Sequence, residues 1–374
     1  MNLAFIIYRY FPYGGQQRNM LAIANAAQAR GHQVAVICYQ WQGERPKSIQ
    51  VMEVPVRGLT NHTRMANFGA SALRAANEWG AEMTVGFIKL PGLDLYYAAD
   101  PCFAEKAYRK RAPIYRLLPR TREYLRLERA VFSPGSSTHI LEVSERERAS
   151  FVRHYGTPQE RFHRLIPGIS RTRAAPPDYP QVRAAKRREL GLDANDQVLL
   201  ALGSGFKTKG LDRSIRTLAD LRTRGLPAHL LVVGQDKEKA FRSLAQRLQV
   251  GGYVHFLGGR DDVPALLQVA DLLIHPAYRE NTGNGLLEAM IAGLPVVVTE
   301  TCGYSHFVND AEMGEVISDD AEPTTIADAV ERLLRTPGDE WHRRGQCFAD
   351  TADIYDRPAQ CVAIIESLAT EKTL

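Results

Sequence analysis

Short apolar runs alternate with longer amphipathic stretches along most of the chain. Such runs predict buried β-strands, and the stretches between them predict helices. In the first part of the chain, the predicted strands cover residues 3–8, 33–39, 49–54, 83–87 and 138–143. In the second part, they cover residues 198–203, 229–234, 254–257, 272–275 and 296–299. Because strands that alternate with helices need crossover connections, we expect each part to form a parallel sheet covered by helices on both faces.

A proline-rich stretch separates the two series of strands. Residues 169–183 contain Pro176, Pro177 and Pro180 and few apolar side chains, which is typical of a linker. We therefore predict an α/β protein with two Rossmann-like doubly wound domains, residues 1–168 and 184–353, that face a central cleft. In sheets of this kind ligands bind beyond the carboxyl ends of the strands, so the chemistry is expected in the loops that follow them.

Composition narrows the class of protein. The 374 residues are 45% hydrophobic and 24% charged, as in ordinary globular domains, and the net charge of +5 is too small to indicate a nucleic-acid-binding protein. The five cysteines are scattered and never spaced as Cys-x-x-Cys, which disfavours disulfides and cysteine zinc sites and favours a reducing cytosol. Neither a signal-peptide pattern nor an apolar stretch of about 18 residues occurs, so no membrane span is expected.

Two glycine-containing loops are candidate anion sites. Gly14 and Gly15 follow the first predicted strand and precede a helix, where backbone N–H groups attract anions, although a tight turn would explain them as well. In the second series of strands, Lys207 and Lys209 lie between glycines in the first loop. Lysines oppose the dipole at a helix N-terminus, so a bound diphosphate explains them better than solvated surface positions do. The loop lacks the spacing of a P-loop and, at Thr208, the third glycine of a dinucleotide fingerprint.

Two carboxylates flank another glycine-containing loop. Glu280 and Glu288 are separated by seven residues, which include a candidate turn and helix start formed by Gly283, Asn284, Gly285 and Leu286. Because carboxylates repel phosphate, we expect them to bind the hydroxyl groups of the molecule that carries the phosphate. Glu288 could instead complement the dipole of its helix, an explanation that Glu280 lacks. In a fourth loop, Arg260 is a candidate contact to a base or phosphate.

Together, these motifs resemble the retaining glycosyltransferases of family 4, which have the two-domain GT-B fold. Glu280 and Glu288 match the E-x7-E element of that family. More narrowly, the chain is similar to the lipopolysaccharide core glucosyltransferase family, called WaaG or RfaG. The matching stretches follow the family's order over nearly the whole chain: YRYFPYGGQQR, KLPGLDLYYAADPCFAEK, FHRLIPGI, GSGFKTKGLDRS, VVGQDK, HPAYRE, LLEAMIAGLPVVVT and CGYSHF.

The resemblance implies a catalytic role for three residues. Lys209, helped by Lys207, would neutralise the diphosphate of a UDP-sugar, and Glu280 would bind the hexose hydroxyls. Asp100 would lie at the reacting face of the sugar, near the acceptor hydroxyl. The first domain would bind the acceptor, and the C-terminal helix, about residues 354–374, would pack back onto it.

The remaining donor contacts implied by the resemblance surround the nucleotide. Glu288 would bind the ribose, and Gly15, beside Gly14, would approach the phosphate. The further candidates for nucleotide-sugar binding are Arg173, Arg260, Gly283, Asn284, Gly285 and Leu286.

Several positions depart from the family's pattern. Asn19 replaces an acidic residue, Ile88 replaces a polar one, Thr208 stands where an arginine often precedes the lysine, and Asn284-Gly285 replaces a more apolar pair. These changes leave the residues for the diphosphate intact but leave the identity of the sugar open. No Asp-x-Asp triplet occurs, so we expect no metal cofactor: lysines and a helix N-terminus would stabilise the leaving UDP.

Residues 106–129 form a basic segment. The segment contains nine cations and only two acidic residues, Glu123 and Glu128. The excess of positive charge, 9 − 2 = 7, is larger than the net charge of the whole chain. Interleaved tyrosines and leucines favour contact with an anionic membrane surface, in helical pieces broken at Pro113 and Pro119. The alternative is a solvated basic face whose apolar side chains pack on the domain. The candidate membrane contacts are Arg109, Lys110, Arg111, Tyr115, Arg116, Arg120 and Arg122.

The sequence thus predicts a metal-independent retaining glycosyltransferase that moves a hexose, expected to be glucose, from a UDP-sugar to an inner-core heptose of lipopolysaccharide. It would be cytoplasmic and peripherally associated with the cytoplasmic face of the inner membrane. Two kinds of alternative stay open. The donor could be UDP-galactose or a UDP-N-acetylhexosamine, and the acceptor could be another lipid-linked glycan. A non-catalytic nucleotide-sugar or membrane-surface binding protein is disfavoured by the lysine and the two glutamates, and a dehydrogenase by the missing third glycine.

Overall fold

The chain forms two compact units. The computed structural model describes residues 1–12, 14–109 and 111–373, with the side chains of Arg146 and Thr373 left aside. The first unit comprises Met1–Gly168 together with Asp356–Leu374, and the second comprises Ile169–Tyr355. Within the described residues, no helix is both long enough and apolar enough to cross a membrane.

The first unit contains a seven-stranded parallel sheet and a separate pair of two-residue strands. In chain order its strands are β1 (Asn2–Ile6), β2 (Arg9–Tyr10), β3 (Gln33–Cys38), β4 (Gln40–Trp41), β5 (Gln50–Glu53), β6 (Met83–Gly86), β7 (Leu95–Ala98), β8 (His139–Glu142) and β9 (Phe162–Arg164). The order in the large sheet is β5-β3-β1-β6-β7-β8-β9, and β2 pairs with β4. The first helices of this unit are α1 (Gly15–Ala29), α2 (Asn61–Glu78), α3 (Phe103–Arg109), α4 (Pro119–Phe132) and α5 (Glu145–Tyr155).

Both faces of this first sheet are buried. Along β1, Leu3 and Phe5 lie in one hydrophobic cluster and Ala4 and Ile6 in another. This alternation follows from the two-residue period of a strand, and it explains why the strands of the sheet read as continuous apolar runs.

The second unit contains a six-stranded parallel sheet with the order β12-β11-β10-β13-β14-β15. These strands are β10 (Gln197–Leu202), β11 (Ala228–Val233), β12 (Val254–Gly258), β13 (Leu272–His275), β14 (Val296–Thr299) and β15 (Gly314–Ile317). Its helices are α6 (Tyr179–Glu189), α7 (Leu211–Thr223), α8 (Lys239–Arg247), α9 (Val263–Val269), α10 (Asn284–Ile291), α11 (Ser305–Asp310), α12 (Pro323–Leu334) and α13 (Gly338–Thr351). The last helix of the chain, α14 (Arg357–Thr373), belongs to the first unit.

In each sheet the strand order reverses beside the first strand, between β1 and β6 and between β10 and β13. Such a reversal opens a crevice at the carboxyl ends of the strands, where doubly wound proteins bind ligands. The doubly wound α/β class predicted from the sequence is therefore confirmed. The loops that follow β1, β10 and β13 are the ones that carry the predicted glycines, lysines and carboxylates.

Helix α14 completes one face of the first sheet. Cys361, Val362 and Ile365 are fully buried in the same cluster as Leu3 and Phe5. The face of β1 that this cluster covers is therefore built from residues at both ends of the chain.

Residues 169–183 do not form the predicted linker. Ile169 is buried in the core of the second unit, and α6 already begins at Tyr179. Proline is compatible with the first turn of a helix because the N–H groups there lack partners within the helix, so Pro180, the second residue of α6, does not exclude the helix. The prolines therefore mark the entry to a helix of the second unit.

Candidate active site

The loops after β10 and β13 bring Lys209 and Glu280 together. Lys209 Nζ lies 2.5 Å from Glu280 Oε2, and both side chains are about three-quarters or more buried. The backbone joins the two loops, because the carbonyl oxygen of Thr208 accepts hydrogen bonds from the N–H groups of Tyr278 at 2.9 Å and Arg279 at 3.2 Å. The ion pair therefore has a fixed position at the reversal point of the second sheet.

A buried histidine supports the Glu280 carboxylate. His275, the last residue of β13, is buried and places Nε2 3.6 Å from Glu280 Oε2. Burial alone would raise the pKa of Glu280, but His275 and Lys209 lower it to about 2. Burial also lowers the pKa of His275. Glu280 is thus a carboxylate at neutral pH. The sequence analysis assigned no role to His275, which lies beside it.

Two glycines allow the close packing of this site. Gly203 has a φ of +111°, and a Cβ there would lie 3.0 Å from Cε of Lys209. Gly283 has a φ of +98° and precedes α10, and a Cβ there would lie 2.4 Å from Sγ of Cys302. Only glycine takes these backbone angles without strain. The N-terminus of α10, which begins at Asn284, consequently lies in the same loop as Glu280, where its N–H groups can serve an anion.

Glu288 lies one turn into α10 and faces a different partner. Its Oε2 is 3.7 Å from Nε of Arg173, and both side chains are about three-quarters buried. The structure thus brings together these two residues, which the sequence analysis proposed separately as nucleotide contacts. Leu286 is fully buried in the core of the unit, so only its backbone is available to a ligand.

Two further predicted donor contacts, Arg260 and Lys207, differ in whether another side chain holds them. Arg260 is held by Asp262 through two hydrogen bonds of 2.7 Å, and the same carboxylate lies 2.6 Å from Nζ of Lys186. The arginine and the lysine lower the pKa of Asp262 against the opposing effect of burial. Lys207 is exposed on the loop that carries Lys209. Arg260 is therefore already engaged, whereas Lys207 is accessible.

In the first unit, the predicted residues follow β1 and β7. Gly14 is the residue before α1 and packs against Gln17, while Gly15 begins the helix in open space. On the same helix, Asn19 donates a hydrogen bond of 3.2 Å to the hydroxyl of Tyr97. Asp100 is exposed two residues beyond the end of β7. These residues all lie at the carboxyl edge of the first sheet.

The basic segment is broken as predicted. A 3-10 helix begins at Pro113 and α4 begins at Pro119. Ile114, Leu117 and Leu118 are exposed, at 70%, 69% and 48% of their surface. The apolar side chains thus do not all pack on the domain.

The cations of this segment are mostly exposed. Arg109, Arg111, Arg120 and Arg122 are exposed, whereas Tyr115 is only partly so. Arg116 is only partly exposed: its Nε is buried and its guanidinium lies 4.7 Å from the ring centre of Tyr108. The predicted contact Lys110 lies outside the described residues.

Both halves of the chain match glycosyltransferase families. Residues 13–173 match the model described as Glycosyltransferase Family 4, and residues 182–346 match the one described as Glycosyl transferases group 1. A crystal structure of Anabaena Alr3699/HepE in complex with UDP-glucose shares the fold, with a TM-score of 0.74 and 18% identity over 98% of this chain and 99% of that one. The fold and these matches define a glycosyltransferase with two doubly wound domains.

Similarity over the whole chain gives the family. The lipopolysaccharide glucosyltransferase WaaG of Escherichia coli (strain K12) is 42% identical over 368 residues, which cover 98% of each chain. The crystal structure of WaaG, a glycosyltransferase involved in lipopolysaccharide biosynthesis, has a TM-score of 0.88 at 42% identity and covers 97% of this chain and 99% of its own. This protein belongs to the WaaG family of glycosyltransferases.

Proposed function

We propose that this protein is a retaining, metal-independent glucosyltransferase that moves glucose from UDP-glucose to an inner-core heptose of lipopolysaccharide. The observation that carries the proposal is the contact between Lys209 and Glu280, 2.5 Å apart. In a UDP-sugar the hexose is attached directly to the second phosphate, so a cation beside a carboxylate matches a phosphate beside hydroxyl groups. The relative named WaaG, which is similar from end to end, supports glucose and lipopolysaccharide as the substrates.

In this proposal the second unit binds the donor. Lys209, the exposed Lys207 and the N-terminus of α10 neutralise the diphosphate. Its negative charge increases when the glycosidic bond breaks, so these groups stabilise the transition state. Glu280 accepts hydrogen bonds from the glucose hydroxyls. Glu288 accepts hydrogen bonds from the ribose, with Arg173 3.7 Å away to orient its carboxylate. These lysines supply the charge neutralisation that a divalent cation supplies in other transferases.

The transfer step follows from this arrangement. The bond between C1 of glucose and the oxygen of the second phosphate breaks, and a bond from the acceptor oxygen to C1 forms on the same face of the ring. The acceptor proton passes to the departing phosphate oxygen, so UDP leaves as the second product and the configuration at C1 is retained. In this proposal Asp100, which is exposed beyond β7, orients the acceptor hydroxyl rather than forming a covalent intermediate.

UDP release tests the proposal. Purified protein is incubated with UDP-glucose in EDTA, with and without a core acceptor that ends in heptose, and the anomeric configuration of the product is determined by NMR. We expect UDP release that depends on the acceptor, in EDTA, with an α-linked product. Release only after metal is added would contradict metal independence, and release only from UDP-galactose or a UDP-N-acetylhexosamine would contradict glucose. No release from any donor would favour a binding protein.

We also propose that the basic segment binds the anionic surface of the inner membrane on its cytoplasmic face. Exposed apolar side chains beside exposed arginines are the combination that interfacial binding requires, since the first enter the headgroup boundary and the second attract anionic lipids. Glu128, one of the two acids of the segment, is buried against Lys89 and so offsets no surface charge. Co-sedimentation with vesicles tests this: binding should require anionic lipid and weaken with salt, and equal binding to neutral vesicles would contradict the electrostatic part.

A further inference from the structure

Glu128 is a carboxylate with no exposed surface in the first unit. It lies on α4, and its oxygens accept hydrogen bonds of 2.8 Å each from the N–H groups of Phe103 and Ala104, the first two residues of α3. The hydroxyl of Tyr155 donates a further hydrogen bond of 2.8 Å. A carboxylate of one helix therefore satisfies the N-terminus of another helix, three residues after Asp100.

Lys89 completes this buried cluster. Its Nζ lies 2.5 Å from Glu128 Oε2 and donates to the carbonyl oxygen of Pro101 at 3.2 Å. Burial alone would raise the pKa of Glu128, but Lys89 and the two N–H groups lower it, so the pair is ionic. Lys89 therefore links the charge of Glu128 to the residue directly after Asp100.

The segment that follows Asp100 is fixed at successive residues. Lys89 holds the carbonyl oxygen of Pro101, the N–H group of Cys102 donates to Glu147 Oε2 at 2.6 Å, and Glu128 holds the next two N–H groups. Asp100 itself has an exposed side chain. An exposed carboxylate thus stands on a backbone that buried charges hold in place.

A buried ion pair often contributes little to the free energy of unfolding. The cost of removing two charges from water often equals or exceeds their mutual attraction, and apolar side chains of similar volume fill such a space at least as well. The pair instead fixes the positions of particular backbone N–H and C=O groups. Placement matters for catalysis because a displacement of about 1 Å can reduce a rate by about 100-fold.

We propose that Glu128 is a positioning residue for glycosyl transfer: with Lys89, it fixes the backbone from Pro101 to Ala104 so that the Asp100 carboxylate meets the acceptor hydroxyl. This inference rests on the proposed function. It assigns Glu128 no contact with either substrate. The charged residues proposed to bind the donor, Lys209, Glu280 and Glu288, lie on the second unit, so loss of Glu128 should reduce turnover without changing the affinity for the donor.

Arg161 provides a control of the same kind. It is also buried in the first unit, and it bonds the carbonyl oxygens of Val131, Ser133 and Thr138. Thr138 directly precedes β8, so these contacts lie at the amino edge of the sheet, away from Asp100. Arg161→Lys should destabilise the same unit without moving the segment after Asp100.

The experiment compares Glu128→Gln with Arg161→Lys. For Glu128→Gln we expect kcat to fall by about 10- to 100-fold while the KM for UDP-glucose stays within about twofold, and the N–H groups of Phe103 and Ala104 to exchange hydrogen faster. Arg161→Lys should lower the thermal midpoint but leave kcat and these exchange rates unchanged. If Glu128→Gln exchanges faster at these groups and keeps the wild-type kcat, the proposal is wrong. An equal loss of kcat in Arg161→Lys would also overturn it, because destabilisation would then explain both.

A second variant covers the possibility that Glu128→Gln does not fold. Glu147→Gln weakens the anchor at Cys102, and Glu147 is less buried than Glu128, so a loss of kcat of about threefold is expected with the fold intact. An unchanged kcat would count against positioning. The failure of this inference is distinct from that of the proposed function. If the wild-type protein transfers no glucose, the proposed function fails, and the exchange rates at Phe103 and Ala104 still decide whether Glu128 fixes the segment.

Discussion

The guanidinium of Arg357, the first residue of α14, donates a hydrogen bond of 2.9 Å to the hydroxyl of Tyr97 and another of 2.7 Å to the carbonyl oxygen of Ile166. Arg357 is only 3% exposed. Tyr97 lies in β7 and also receives the hydrogen bond of Asn19. One buried arginine thus ties the last helix of the chain to the edge of the sheet at which Asp100 lies.

Replacement of Arg357 by leucine should destabilise the first unit. The change leaves the Ile166 carbonyl oxygen without its donor, and hydrogen bonds to a charged group contribute about 1.5–3 kcal/mol each. We expect the free energy of unfolding to fall by about 3 kcal/mol in urea titrations. The control is Arg343→Leu, whose side chain is 70% exposed and pairs with Glu340 on the surface. Equal losses in the two variants would show that the buried contacts of Arg357 are not what matters.

Lys209 should matter more for turnover than Lys207, although both are lysines of one loop. Lys209 is fixed against Glu280, whereas Lys207 is exposed and must be ordered when the donor binds. We expect Lys209→Ala to reduce kcat by about 100- to 1,000-fold and Lys207→Ala by about 10-fold or less, in the UDP-release assay. A larger effect at Lys207 would reverse the assignment of the leaving-group cation.

The ion pair of Glu280 should make the free energy of unfolding depend on pH in the acid range. The pKa of this carboxyl is lowered from 4.5 to about 2 in the folded protein, so the unfolded chain binds its proton more tightly. The stabilisation that results is complete above the unfolded pKa and is lost as the pH falls from about 4.5 towards 2. Between about pH 5 and pH 3, the unfolding free energy of the wild type should therefore decline more steeply than that of Glu280→Gln. Parallel declines in urea titrations across this range would contradict the lowered pKa.

Two glycines of one loop should respond in opposite ways to alanine. At Gly283 the φ of +98° strains any other residue, and the new Cβ would overlap with Sγ of Cys302. At Gly285, inside α10, the nearest atom to a Cβ is Cδ2 of Leu202 at 3.5 Å, an ordinary contact. Gly283→Ala should cost about 1–3 kcal/mol of unfolding free energy and weaken UDP binding, measured by calorimetry. Gly285→Ala should be neutral or stabilising, because alanine is a better helix former.

Apolar residues of the basic segment should be needed for membrane binding and not for stability. Ile114 and Leu117 are about 70% exposed, so replacement of both by serine removes few internal contacts. We expect the double variant to keep the thermal midpoint of the wild type and to lose most of its binding to anionic vesicles. Leu59, 100% exposed and outside the segment, provides the control, since Leu59→Ser should bind like the wild type. Undiminished binding of the double variant would leave only the arginines as the source of affinity.

The sequence predicts most strands of the two sheets but not β7 and β9. The strand that ends at Leu202 and the one that ends at His275 were both recognisable from continuous apolar residues. Strand length alone does not explain the difference, because β13 and the missed β7 both have four residues, whereas β9 has three, two of them polar. The place of β7 and β9 in the sheet depends on long-range pairing with β8, which a local pattern does not contain.

The candidate site divides in the same way. Lys209 and Glu280 were predictable individually because each follows a strand, and parallel strands end at one edge. The role of Glu128 was not predictable from the sequence. Its partner Lys89 lies 39 residues earlier, and the carboxylate was counted as one of two acids in a basic surface segment. Only the tertiary structure distinguishes a buried, hydrogen-bonded glutamate from an exposed one.

The first unit is interrupted in sequence, since its sheet comes from Met1–Gly168 and its final helix from Asp356–Leu374. During synthesis the ribosome must therefore make the entire second unit before α14 can reach Leu3 and Phe5. Until then, one apolar face of β1 and its neighbours lacks the part of its cover that α14 supplies, whereas the second unit, Ile169–Tyr355, is already complete. The second unit should thus complete its fold first, and the first unit should depend on a chaperone or on rapid completion of the chain to avoid aggregation.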